Sequence, residues 1–135
     1  MRILLDTHVL LWALAEPDRL DQNTRAAIRS VENDVLFSAV SIWEIAIKAG
    51  LRRADFVVDP IGVLREALDA GLTELVLASS VAALVAELPH LHRDPFDRML
   101  VAQAIAEPAF LYTADPRLAP YSELVRQIAS DSDTG

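Results

Sequence analysis

The sequence predicts an α/β fold in three layers, α/β/α, with a short, mostly parallel sheet flanked by helices. Three observations lead there. Short apolar runs alternate with longer amphipathic segments, the pattern of strand–helix–strand units with a sheet covered on both faces. The hydrophobic fraction is 53% and the mean hydropathy +0.28, so the chain is rich in core-forming residues. At 135 residues, with no repeat, low-complexity tract or linker, it holds one domain with a real core. That domain is expected to span residues 1–129, leaving the small, polar residues 130–135 as a frayed tail.

The elements follow in order. Ile3–Leu5 reads as a strand and Thr7–Ala15 as a helix ending near Pro17. Asp21–Glu32 is a helix with Asp21 as N-cap. Val35–Phe37 is a short strand, followed by a helix from Ala39 to Ala49 that Gly50 stops from the C′ position. Pro60 opens a helix through Asp69, with Gly71 beyond its end. Glu74–Leu77 reads as a strand, and Ser79 caps a helix to Leu88. Pro95–Ala106 is a helix, Phe110–Thr113 a strand, and Leu124–Ile128 a weak final strand or helical turn.

Composition excludes several classes of function. No apolar run approaches the roughly 20 residues that cross a bilayer. Asp6 and His8 interrupt the apolar N-terminal stretch and no cleavage pattern follows, which argues against a signal peptide. The absence of cysteine rules out disulfide and thiolate chemistry and fits a reducing cytoplasm. Twenty acids against twelve bases, eleven of them Arg, give a net charge of −8, which disfavours a general electrostatic grip on nucleic acid. The exception is a site whose acids surround divalent cations, because the ions then set the local field. There is no Gly-rich phosphate loop and no G-x-S-x-G elbow. His8, His90 and His92 lack zinc-ligand spacing and are expected at the surface or behind a site.

Four acids stand out, each with a structural alternative. Asp6 ends the first strand, where α/β proteins bind ligands, and equally caps the helix that follows. Glu44 forms a capping-box pattern with Ser41 and an i,i+4 pair with Lys48. Its neighbours Ile42, Ile45, Ala46 and Ala49 form a buried stripe, with Trp43 and Ile47 extending the apolar surface, an unusual setting for a solvated acid. Asp97 falls at N3 of a helix that Asp94 caps, where acids suit the helix dipole whatever the function. Asp115 follows a strand as Asp6 does, and Asp-Pro is also an ordinary turn. Together, four carboxylates converging on one sheet edge would repel unless cations or protons occupied the space. An oxygen-only ligand set selects Mg²⁺ or Mn²⁺ over zinc and points to phosphoryl chemistry.

Four segments occur in a recognisable order: "ILLDTHVLLW", "SAVSIWEIAIKAGL", "HRDPFDRMLVAQA" and "TADPRL". In that order they resemble a PIN domain, specifically the VapC-type toxins of bacterial toxin–antitoxin pairs, over nearly the whole chain. The resemblance implies a Mg²⁺- or Mn²⁺-dependent endoribonuclease whose acids are Asp6, Glu44, Asp97 and Asp115. Thr7 and Thr113 would orient water, and Asp94 would cap and support. In-line attack of water would leave a 5′-phosphate. Arg52, Arg53, Arg93, Arg98 and Arg117 lie near the motifs as candidates to position the RNA backbone, or simply solvate exposed faces. A homodimer and a cognate antitoxin are implied as partners. "YSELVRQIA" is a weak match for the last strand.

Three rivals remain at this level. The same acids would serve a nuclease acting on DNA or flap structures, although no segment to clamp a duplex is evident. A phosphatase with a nucleophilic aspartate commonly places a second acid two residues on, where this chain has His8. A non-catalytic PIN-like binding module would not need all four acids.

Overall fold

The computed structural model describes residues 1–51 and 58–129. The tail expected at 130–135, together with Arg52 and Arg53, lies outside the described residues. Five strands form one parallel sheet in the order β3-β2-β1-β4-β5, with β1 Arg2–Leu5, β2 Asp34–Ser38, β3 Thr73–Leu75, β4 Phe110–Thr113 and β5 Val125–Gln127. Among the described residues six α-helices connect and cover them: α1 Thr7–Ala15, α2 Gln22–Arg29, α3 Ala39–Gly50, α4 Pro60–Asp69, α5 Ser79–Leu84 and α6 Pro95–Ala106.

The period of two along β1 divides the molecule into layers. Ile3 and Leu5 pair in register with Val35 and Phe37 and pack with Val9 and Leu10 of α1 and Val63 and Ala67 of α4. Leu4, between them, joins Leu36 and Leu111 on the opposite face, against Leu100, Val101 and Ala104 of α6. Ile3, Leu4 and Leu5 are fully buried, as the centre of a doubly covered parallel sheet requires. Helix α3 serves both layers, with Ile45 on one side and Val40 on the other.

Side-chain caps fix where most helices start. Asp6, Asp21, Ser38, Asp59 and Asp94 each accept a backbone N–H at the first turn of α1, α2, α3, α4 and α6. Asp115 does the same for the 3-10 segment Pro116–Tyr121. Ser38 as the cap of α3 breaks the capping-box pattern of Ser41 with Glu44, because Glu44 then lies in the second turn.

Several boundaries differ from expectation for identifiable reasons. Gly50 does not stop α3 from outside; it is the last helical residue, and Leu51 caps with right-handed helical dihedrals. Gly71 is the glycine that takes φ +87, turning the chain from α4 into β3. Ser79 does not cap α5; Ala78 occupies that position without a side-chain bond, and the helix gives way to a 3-10 turn at Val85–Glu87. β3 begins and ends earlier than the apolar run suggests, because its register is set by pairing Leu36, Phe37 and Ser38 with Thr73, Glu74 and Leu75. The weak last segment is a strand, aligned through Leu111 with Val125. Within α3 the inward face is Val40, Ser41, Glu44 and Ile45, whereas Ala46 is turned outward.

Candidate active site

Three parallel strands deliver polar residues to their carboxyl edge. Asp6 follows β1 directly, Asp115 stands two residues after β4, and Glu44 lies early in α3, the helix that leaves β2. Asp97 arrives from the first turn of α6. All four carboxylates line one cavity of about 330 Å³, along with Thr7, Asp94, Lys48 and Arg117. Glu44 and Asp97 therefore share the flank of the first and last acids, as a common site demands. The lining holds five carboxylates against two permanent cations, Lys48 and Arg117, so it is strongly acidic.

Asp6 and Asp97 are both displaced from the ordinary carboxylate range. Burial lifts its carboxyl from 3.8 to about 6, against hydrogen bonds from Thr113 and the Val9 N–H, with Glu44 and Asp115 adding repulsion. The Val9 bond is the capping contact, at 2.9 Å, so capping and site membership belong to one side chain. Asp97 is likewise raised to about 6, first by burial and then by the Asp94 charge, while a hydrogen bond with His92 works the other way.

Glu44 is buried at 3% exposure and engaged at both oxygens. Thr7 Oγ1 donates to Oε1 at 2.7 Å, and Lys48 Nζ reaches Oε2 at 2.7 Å. Thr7 also approaches Ser41 Oγ at 3.0 Å. Asp115 is the most solvated of the four, and Arg117 grips it through three contacts of 2.8 to 3.2 Å. That grip holds the Asp115 carboxyl below the ordinary carboxylate range. Thr113 Oγ1 accepts the Asp115 backbone N–H at 3.0 Å.

His92 stands behind the acids. Its Nε2 lies 3.0 Å from Asp97 Oδ2 and 3.7 Å from Asp115 Oδ2, and the Tyr121 hydroxyl accepts its backbone N–H at 2.9 Å. The sequence reading assigned the histidines only a general supporting place. Its spacing of five residues before Asp97, in the loop that Asp94 closes, is the signal that marks His92 among the three. Lys48 was read only as a helical ion pair; a lysine one turn beyond a buried acid is the clue to its place in the cavity wall.

The arginine candidates separate. Arg117 lies in the cavity lining, whereas Arg93 is exposed beside His90 and Pro95 around a neighbouring hollow. Arg98 is a correction. The residue is buried, and its guanidinium donates to the carbonyls of Val85 and Pro89 at 3.1 Å and of Leu88 at 3.4 Å, so its donors are engaged in pinning the α5–α6 connection. Asp94 caps α6 through Phe96 and Asp97 N–H groups while lining the cavity.

The donor set suits a hard divalent ion: carboxylate oxygens predominate, and two of the acids are raised to about 6, first by burial and then by their negative neighbours. His92, Asp94 and Asp97 offer one grouping of ligand atoms within 4.8 Å of one another.

Comparison with known proteins agrees with this architecture. The PIN domain family model matches residues 3–124. Ribonuclease VapC22 of Mycobacterium tuberculosis (strain ATCC 25618 / H37Rv) is 33% identical over 120 residues, spanning 86% of this chain and 88% of that protein. VapBC2 from Rickettsia felis, solved bound to a DNA fragment from its promoter, matches with TM-score 0.68 at 17% identity, covering 97% of this chain and 100% of that one. FitAcB from Neisseria gonorrhoeae matches with TM-score 0.52 at 24% identity, over 86% and 89% of the two chains. Those two similarities speak to the fold; the family match and the VapC22 identity span most of the sequence. The chain belongs to the PIN-domain family.

Proposed function

We propose that this protein is a divalent-cation-dependent endoribonuclease, the toxin of a toxin–antitoxin pair, that hydrolyses RNA phosphodiesters to leave 5′-phosphate ends. The observation that carries the reading is the convergence of Asp6, Glu44, Asp97 and Asp115 on one cavity at the carboxyl edge of the sheet. The similarity to Ribonuclease VapC22 supports RNA as the substrate. Asp6, Glu44, Asp97 and Asp115 would hold Mg²⁺ or Mn²⁺. Such an ion would neutralise charge building on the phosphate and lower the pKa of water, so that hydroxide is available as the nucleophile.

The chain's own residues then do the positioning. Asp6 is fixed by its capping bond, so its second oxygen keeps one direction. Thr7 fixes Glu44, and Arg117 fixes Asp115. Thr113 braces Asp6 by its side chain, and Asp94 sets the first turn that carries Asp97. Arg93 is exposed on the approach and offers bidentate contact to an RNA phosphate, while Arg117, its fork engaged by Asp115, adds positive charge at the cavity; Arg52 and Arg53 belong to the same proposal from sequence alone.

A homodimer is supported by Trp43, Ile47 and Leu51, which expose apolar surface along one side of α3. The antitoxin is proposed as a protein that covers the acidic cavity. No helix among the described residues is long and apolar enough to cross a membrane, and a cytoplasmic location is part of the proposal.

The test compares wild type with Asp97→Asn on tRNA and rRNA, with Mg²⁺ or Mn²⁺ and with EDTA. Site-selective cleavage that requires both the ion and the carboxylate is expected. Cleavage persisting in EDTA would overturn the mechanism, and a preference for labelled DNA would redirect the substrate assignment.

A further inference from the structure

A second hollow, of about 590 Å³, lies along the loop that leads into α6. Its walls are Val85, His90, His92, Arg93, Pro95 and Arg98. Four of those six side chains are imidazoles or guanidiniums and none is a carboxylate. That is unexpected in a chain with 20 acids and 12 bases. His92 joins this hollow to the acidic cavity. It lines the one, while its Nε2 reaches Asp97 and Asp115, which line the other.

The loop is held in place by its neighbours. The Tyr121 hydroxyl accepts the backbone N–H groups of Leu91 at 3.2 Å and His92 at 2.9 Å. Arg98 donates to the carbonyls around it, and its Nη1 also lies 3.4 Å from His90 Nδ1. A guanidinium only donates, so Nδ1 is the accepting nitrogen of that ring and Nε2 carries the proton. His90 is therefore an N–H donor even when neutral, and it is exposed. Arg98, its donors engaged, is wall; Arg93 is the cation left to meet a ligand. Arg93 is exposed, and among the described residues no carboxylate pairs with it. Asp94, its neighbour in sequence, turns an oxygen to the Phe96 and Asp97 N–H groups instead.

We propose that this hollow is a second phosphate subsite, in which Arg93 and His90 hold the RNA phosphate next along the strand from the one at the acidic cavity. The proposal rests on the nuclease reading and deepens it, giving Arg93 a defined place and His90 a role. The guanidinium fork matches two phosphate oxygens, and an imidazole N–H supplies a further donor. RNA presents phosphates in series, so a strand with one of them at the carboxylates can carry its neighbour past His92 into the hollow. The sign of charge sorts the two positions. A phosphate without an accompanying ion is repelled by the acids and accepted by the hollow.

The test uses a short RNA spanning the site most strongly cut in the tRNA and rRNA comparison. Arg93→Gln should raise KM about tenfold, as loss of a charge-assisted contact made equally to substrate and transition state would. His90→Ala should raise it several-fold. With Ca²⁺ replacing the catalytic ion, Arg93→Gln should lower the salt slope of RNA binding by about one unit, and Arg93→Lys should restore it. Mn²⁺ affinity, followed by electron paramagnetic resonance, should match wild type in each variant. A neutral methylphosphonate placed at the linkage next to the cut should weaken binding to wild type and add nothing to Arg93→Gln.

Wild-type KM and slope in both variants would overturn the subsite. So would a methylphosphonate effect that is undiminished in Arg93→Gln, or a loss of RNA binding that tracks a loss of Mn²⁺. Wild-type protein that cuts no RNA with Mg²⁺ or Mn²⁺ defeats the nuclease reading itself; active wild type with indifferent variants removes the subsite alone.

Discussion

Thr7 Oγ1 donates a 2.7 Å hydrogen bond to Glu44 Oε1, joining the first turn of α1 to the second turn of α3 across 37 positions of sequence. Both side chains are buried, so the bond forms where water cannot replace it. It holds one carboxylate of the site in a single orientation.

Thr7→Val keeps the shape and removes the donor. A hydrogen bond to a charged group is worth about 1.5–3 kcal/mol, so urea unfolding should register a loss in that range. Cleavage should fall further than stability alone explains, and Thr7→Ser should recover most of both. A valine variant with wild-type stability and rate would show that Glu44 needs no such support.

Asp6 and Asp97 make stability depend on pH in an unusual direction. Both carboxyls are raised from 3.8 to about 6 in the folded protein. Between about pH 4 and 6 they bind more protons folded than unfolded, so their contribution declines as pH rises through that window. Asp115, held low by Arg117, contributes the opposite way, with stability present above 3.8 and lost as pH falls through its depressed value. In EDTA, urea midpoints of wild type should fall from pH 4 to 6 relative to the Asp6→Asn, Asp97→Asn double variant. Saturating Mg²⁺ should reverse that loss above pH 6. Parallel curves for the two proteins would refute the shifts.

Asp94 has two roles that one pair of substitutions can separate. Asp94→Ser keeps an N-cap oxygen for α6 but removes the charge that helps raise Asp97. The pH midpoint of Mn²⁺ uptake should move to lower pH. Asp94→Ala should move it the same way and cost about 1 kcal/mol of stability besides. A midpoint that stays in place in both variants would remove Asp94 from the electrostatics of the site.

Arg98 should matter to folding and not to RNA. Replacing it with Met strands the carbonyls of Val85, Leu88 and Pro89 and should cost about 3 kcal/mol in chemical unfolding. The salt dependence of tRNA binding by the folded fraction should not change. A reduced slope would return Arg98 to the phosphate contacts.

How much of this was legible depended on whether a residue's role was local. The strand Ile3–Leu5 and the caps Asp21, Asp94 and Asp6 were readable because apolar runs and first-turn acceptors act within a few residues. Gly50 and Ser79 misled for the same reason: local preference favours a stop and a cap, yet α3 runs through Gly50 and α5 starts after Ala78 without a side-chain cap. Arg98 looked like its exposed neighbours because its burial comes from the loop folding over α6, which leaves no mark in the spacing. The convergence of the four acids could be argued from strand ends, yet the partners of each acid could not. The contact of His92 with Asp97 and the grip of Arg117 on Asp115 become visible only once the strand order brings their segments to one edge.

That strand order has a consequence for how the protein comes into being. β1 is made first, yet one of its two neighbours, β4, is Phe110–Thr113, near the far end of the chain. Until β4 docks, Asp6 has neither Asp115 nor Thr113 beside it. The cavity's full set of acids is therefore assembled only after β4 has joined β1, a pairing across more than a hundred residues of chain.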